Sequence, residues 1–214
     1  MIFQGNLMSE NTILLRIENH IRELYKKRSA AENIYHNIEH TSEVVDVAGK
    51  IAKEENLSQE DTELVLIASW FHDTGYFHCC KGHEDQSSEY ARDYLQNENY
   101  PENKISQIID CIKATQIPQS PQNLLEEIIC DADLQHLGMK DVEFRGNLLR
   151  REFEIKGIKK LSDIDWLRGS LEFFRKHRYY TKYANREFGL QKEINQNTME
   201  LKLAELEKRI LKNL

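Results

Sequence analysis

The chain has 214 residues and eight histidines, and three short segments concentrate histidine and aspartate among apolar neighbours. They are Tyr35-His36-Asn37-Ile38-Glu39-His40-Thr41, Trp70-Phe71-His72-Asp73-Thr74-Gly75 and Cys130-Asp131-Ala132-Asp133. A charge in such surroundings is costly unless a counter-ion or a metal meets it. Any one of these histidines taken alone reads as a buried, hydrogen-bonded core residue, whereas the ordered set reads as metal ligands. His36 and His40 are four apart, so a helix beginning near them projects both from one face. His72 and Asp73 are adjacent, and neighbours in mid-helix point about 100° apart. Thr74-Gly75 looks like a helix terminus, which puts His72 and Asp73 in a last turn, where directions are freer and the helix dipole favours a cation.

Two imidazoles and two carboxylates suit one divalent transition metal, namely manganese, iron, zinc, nickel or cobalt, with magnesium also admitted, better than calcium. Four protein ligands on an ion that accepts six leave room for water and a substrate oxygen. Water on such an ion has its pKa lowered from about 15.7 toward about 7, the basis of metal-assisted hydrolysis.

The ordered pattern His40, His72-Asp73, Asp133 resembles that of the HD-domain phosphohydrolase superfamily over about residues 30–140. Within that superfamily, His36-Asn37-x-x-His40 is similar to the His-Asn-x-x-His segment of cyclic-nucleotide phosphodiesterases. The resemblance implies that His40, His72, Asp73 and Asp133 hold the metal; Asp73, while ligating, is expected also to orient the attacking water. His36 is then the general acid that protonates the leaving oxygen, a role that imidazole side chains commonly fill. The resemblance points to Asp133 as the ligand and leaves Asp131 a capping or supporting role.

It also implies an all-α bundle with its site among the central helices. The activity implied is hydrolysis of a phosphate ester, of a nucleotide or another small phosphorylated metabolite, by metal-activated water. Two-metal members carry further histidines after the His-Asp pair, but the comparable stretch here reads Gln116-Ile117-Pro118, which favours a single metal. His83 reads as a polar helix start, with an additional ligand or pocket acid as its other reading, and His78 competes for that role. His20, His136 and His177 carry no functional expectation. The rival readings are a non-catalytic, metal-stabilised signalling or scaffold module, favoured if His36 is buried, and a di-iron oxygenase, which needs about six ligands.

Apolar residues at three- and four-residue spacing, as in Ile13, Ile17, Ile21 and Leu24, predict helices nearly throughout. We place them near 11–28, 37–55, 59–73, 84–98, 102–115, 122–137, 139–155, 162–178 and 192–212. Residues 1–214 are expected to form a single domain, with the metal-site core at about 30–140 and the helices of 141–214 completing it. The stripe Ile194, Met199, Leu203, Leu206, Ile210 and Leu214 reads as packing on the parent domain, with homodimerisation as the alternative.

No apolar run approaches a membrane span and no secretory signal is evident, so a cytoplasmic protein without a membrane partner is expected. Residues 1–8, native or a vector remnant with Met8 as an alternative start, stay outside the functional argument. Cys79, Cys80, Cys111 and Cys130 lack Cys-x-x-Cys spacing and read as reduced thiols. A net charge of −7 argues against a stable nucleic-acid partner. Residues 145–186 nevertheless carry 12 Lys and Arg against 5 Asp and Glu. That excess reads as a solvated helix face or, more sharply, as a basic lip that draws in a small phosphorylated substrate. Arg151, Arg168, Arg175 and Arg178 are its candidates for phosphate contact.

Overall fold

A computed structural model describes residues 12–28, 32–78 and 81–212. Residues 1–8, Cys79, Cys80 and Leu214, read above from sequence, lie outside the described residues. Within them all regular structure is helical: α1 (Ile13–Arg28), α2 (Ile38–Glu54), α3 (Gln59–Phe71), α4 (His83–Asn97), α5 (Glu102–Ala114), α6 (Leu124–Asp133), α7 (Val142–Ile155), α8 (Asp163–Lys176) and α9 (Lys182–Lys212). Short 3-10 turns follow α3 at Thr74–Phe77 and α6 at Gln135–Gly138.

Several starts are written locally. Asn37, Ser58, Asn123 and Ser162 each accept a first-turn backbone N–H through their side chains, satisfying donors that a helix leaves unpaired. The centre of the molecule is α3, whose Leu64, Val65, Ile67, Ala68, Trp70 and Phe71 are all buried. A helix apolar on every side must be enclosed, and α1, α2, α5 and α6 surround this one. The C-terminal ends of α3 and α6 and the N-terminal end of α2 meet on that core.

Two expectations change. The 122–137 helix ends at Asp133 and passes into the 3-10 turn. The last helix begins at Lys182 rather than near 192, because Ala184 and Phe188 pack into the main core beside Tyr179, a non-local gain that outweighs a polar local sequence. Gly138 makes this docking close: a Cβ there would lie 2.5 Å from the Phe188 carbonyl oxygen. Among the described residues no helix is long and apolar enough to cross a membrane, and Cys111 and Cys130 are buried free thiols.

Candidate metal centre

His40 stands in the first turn of α2, behind the Asn37 cap whose Oδ1 accepts the His40 N–H at 2.9 Å. His72 ends α3 in helical conformation, and the backbone leaves the helix at Asp73 (φ −104°, ψ 4°). That break lets two adjacent side chains converge. Asp133, the last residue of α6, completes the group. His40 Nε2 lies 3.4 Å from both Asp73 Oδ2 and Asp133 Oδ1, and His72 Nε2 lies 3.2 and 3.7 Å from the same two atoms. One donor atom each from His40, His72 and Asp133 falls within a 4.8 Å span, a group with the dimensions to hold a metal ion.

The chemistry of the donors fits a cation. His72 Nδ1 donates to the Ser69 carbonyl at 2.7 Å, which fixes the tautomer and leaves Nε2 with a bare lone pair. His72 Nε2 and Asp73 Oδ2 are both buried and have no hydrogen-bond partner, an arrangement native interiors avoid. Electrostatics agree. Burial lowers the His40 pKa, but the hydrogen bonds and charges of Asp133 and Asp73 outweigh it and push His40 up to about 10. Burial likewise opposes ionisation of Asp73, yet the His72 charge and the neighbouring His40 and His83 imidazoles hold its carboxyl well below the usual range. Such surroundings favour positive charge between the carboxylates.

Asp131, two residues from Asp133, is fully buried and does different work. Its carboxylate accepts the N–H groups of Tyr180 (2.9 and 3.2 Å) and Thr181 (2.8 Å), tying α6 to the start of α9. Burial pushes its pKa up to about 6 against those hydrogen bonds.

His36 precedes the cap of α2 and so does not share a helix face with His40 as the spacing suggested. Its Nδ1 lies 2.5 Å from Glu152 Oε1, while Glu152 Oε2 accepts the backbone N–H groups of Tyr35 (2.7 Å) and His36 (3.0 Å). Glu152, on α7, is fully buried. Burial would raise its pKa, but the hydrogen bond and charge of His36, with the two backbone donors, bring it below the usual carboxylate value. The His36 ring stacks on Tyr76 at 3.7 Å and is only 8% exposed, yet it lines the cavity described below. Sequence reading missed Glu152, which sits in the polar run Arg150-Arg151-Glu152 and looks there like part of a solvated face.

His83 Nε2 lies 3.4 Å from Asp73 Oδ1. Gly75 makes this approach feasible, since a Cβ there would fall 2.0 Å from the His83 carbonyl oxygen. His78, by contrast, is engaged with Tyr90 and Arg28 and does not reach the cavity. His136 does line it, and burial, then the His40 charge, lowers its pKa to about 4.

One cavity of about 1200 Å³ touches His36, Asp73, Tyr76, His83 and Asp133 and continues between α7, α8 and α9. None of the four arginines proposed from sequence lines it. Arg151, Arg168 and Arg175 pair with Glu154, Glu207 and Glu200 on exposed surface, and Arg178 lies over the Tyr180 ring. The basic residues on the wall are Lys140, Arg150, Lys159, Lys202 and Arg209.

Comparison with known proteins gives a consistent picture. Residues 37–137 match the family model of the HD domain. No match is found among proteins of curated function. Among solved structures, the chain is similar to a predicted HD superfamily hydrolase from an uncultured Thermotogales bacterium, at 19% identity and a TM-score of 0.55 over 92% of this chain and 91% of that one. It is also similar to a protein from Lactobacillus plantarum, at 16% identity and a TM-score of 0.68 over 91% of this chain and 97% of that one. At these identities the likeness is one of fold.

Proposed function

We propose, from the match of residues 37–137 to the HD-domain family model, that this chain is a phosphohydrolase using one divalent transition metal. The HD domain supports a metal-dependent hydrolase in general, and the finer reading rests on one observation. His72 Nε2 and Asp73 Oδ2, buried and without partners, face the same small volume as His40 and Asp133, on a cavity that also exposes an edge of His36.

In this reading His40, His72, Asp73 and Asp133 hold the cation, which when bound supplies Lewis acidity toward a phosphoryl oxygen and acidifies water. Asp73 divides its carboxylate, with Oδ2 toward the two imidazoles and Oδ1 toward His83, so that Oδ1 can orient a water molecule. Glu152 holds the proton on His36 Nδ1, leaving Nε2 as the nitrogen that gives a proton to the departing alkoxide. Loss of that proton returns a neutral ring still hydrogen-bonded to Glu152, the logic of a carboxylate that orients a histidine.

The burial of His36 gives the scaffold reading a specific observation in its favour. Both readings meet in one experiment, in which a panel of phosphate esters is assayed with manganese, cobalt, nickel and magnesium in turn and Asp73→Ala is the blank. Turnover of at least one ester above that blank is expected. A metal-loaded protein that hydrolyses none of these esters favours the scaffold, and the hydrolase reading fails.

A further inference from the structure

The cavity is larger than a phosphoryl group requires. At about 1200 Å³ it exceeds the roughly 300–1,000 Å³ of ordinary small-molecule sites. Beyond the His and Asp cluster its wall carries an apolar stretch of Leu149 and Phe153 from α7, Trp166 and Phe173 from α8, and Met199 and Leu206 from α9, edged by polar and charged side chains.

The space is built into the walls. Gly146 on α7 and Gly169 on α8 both line it, and a Cβ added to either would meet nothing within 4 Å. Gly146 is half-buried and Gly169 is exposed, so both stand at the mouth of the cavity. The surrounding helices are also tied in place. The buried Asn195 amide on α9 donates to the carbonyls of Leu137 and Met139, each at 2.8 Å. Trp166 offers little as a platform for a nucleobase, because the Arg150 guanidinium lies over its ring at 5.9 Å and the Phe153 ring meets it edge-on at 6.3 Å.

We propose that the substrate is an amphiphile, a phosphate ester whose apolar chain occupies the part of the cavity between α7, α8 and α9 while its phosphoryl group lies at the His40, His72, Asp73 and Asp133 cluster. The placement of the phosphoryl group rests on the hydrolase reading above; the placement of the chain rests on the cavity. An aliphatic chain matches the apolar stretch of this wall, and its burial there supplies the affinity that a phosphate alone lacks.

The test uses n-alkyl phosphates from butyl to decyl, below their micelle concentrations, beside nucleoside monophosphates. The n-alkyl phosphonates of the same lengths, which cannot be hydrolysed at the ester position, are titrated in parallel by calorimetry. The expected result is a rise of about fourfold per methylene in both kcat/KM and phosphonate affinity until the chain fills the cavity. Gly146→Phe, which fills that space and favours the helix, should bring the decyl-to-butyl ratio toward one, and Gly169→Leu serves as a second variant should the first fold poorly. Phosphonate binding that strengthens with length, with no ester hydrolysed, would uphold the chain site and overturn the hydrolase reading. Ester hydrolysis that is indifferent to length, or fastest on nucleoside monophosphates, or an unchanged ratio in well-folded variants of both glycines, would overturn the amphiphile and leave the hydrolase standing. Failure of both series would overturn both.

Discussion

The two ends of the cavity are made by different means. At the α2, α3 and α6 end, buried polar atoms lie within 4 Å of one another and some have no hydrogen-bond partner. At the α7, α8 and α9 end the wall carries an apolar stretch, is open at two glycines and is held by the buried Asn195 amide. The first end stores unsatisfied polar groups, which cost folding free energy and are tolerated where a ligand meets them. The second offers room, which governs what fits rather than what reacts. Glu152 and Asp131 bridge the two, since each joins the C-terminal helices to the cluster by accepting backbone N–H groups.

The contrast can be broken most forcefully at the cluster. His72→Ala or Asp73→Ala should remove the metal and lower turnover by on the order of 10³-fold or more, as elemental analysis and steady-state kinetics would show. Chelation should lower the melting temperature of the wild type, because a ligand that binds only the folded state stabilises it, and should leave the melting temperature of His72→Ala almost unmoved. A wild type indifferent to chelator would remove the metal from the account.

Glu152→Gln tests the bridge to α7. It should retain the metal yet lose about 10² to 10⁴ in turnover, the usual contribution of a positioned acid, with a smaller loss on a nitrophenyl ester whose leaving group needs no proton. His36→Ala should lose about as much, and the double variant little more than either alone, because the two act as one unit. Full additivity would show that Glu152 acts only on stability.

Asp131 and Asp133 offer a comparison within two residues of α6. Asp131→Ala should keep its metal and lose about 1–3 kcal/mol of stability by stranding the Tyr180 and Thr181 N–H groups, measurable by urea denaturation. Asp133→Ala should do the reverse, losing metal with little effect on the α6–α9 junction.

A smaller effect concerns acid. The folded Glu152 carboxyl titrates below its ordinary 4.5, so the folded state binds fewer protons than the unfolded one as pH falls. Its stabilisation is complete above about pH 4.5 and is lost as pH drops through the folded value. The wild type should therefore lose stability more steeply than Glu152→Gln in that range. Least of all should Lys202→Met matter, within about 0.5 kcal/mol, as for other exposed ion pairs; a large loss would mean that the Lys202–Glu143 pair, rather than Asn195, holds α9 in place.

The helical class and the likeness to the HD domain over residues 37–137 were legible in residue order because both are written in short-range features. Apolar residues recur with the helical period, Asn37, Ser58 and Ser162 stand at caps, and the His-Asp pair falls where α3 ends, so that one turn of backbone carries each signal. The start of α9 was not legible, since its first ten residues are polar enough to read as loop and become helical by docking Ala184 and Phe188. Nor was the partner of His36, because Glu152 lies 116 residues away in a run that locally resembles solvated surface. The contrasting surroundings of Asp131 and Asp133, the approach of His83 to Asp73 past Gly75, and the removal of His78 to the surface all depend on which helix lies against which. Sequence by itself determined which side chains could do chemistry and what helices would carry them. Tertiary packing alone decided which of them meet, and left between α7, α8 and α9 a space that no local pattern records, because an empty volume belongs to the arrangement of helices and to no residue in particular.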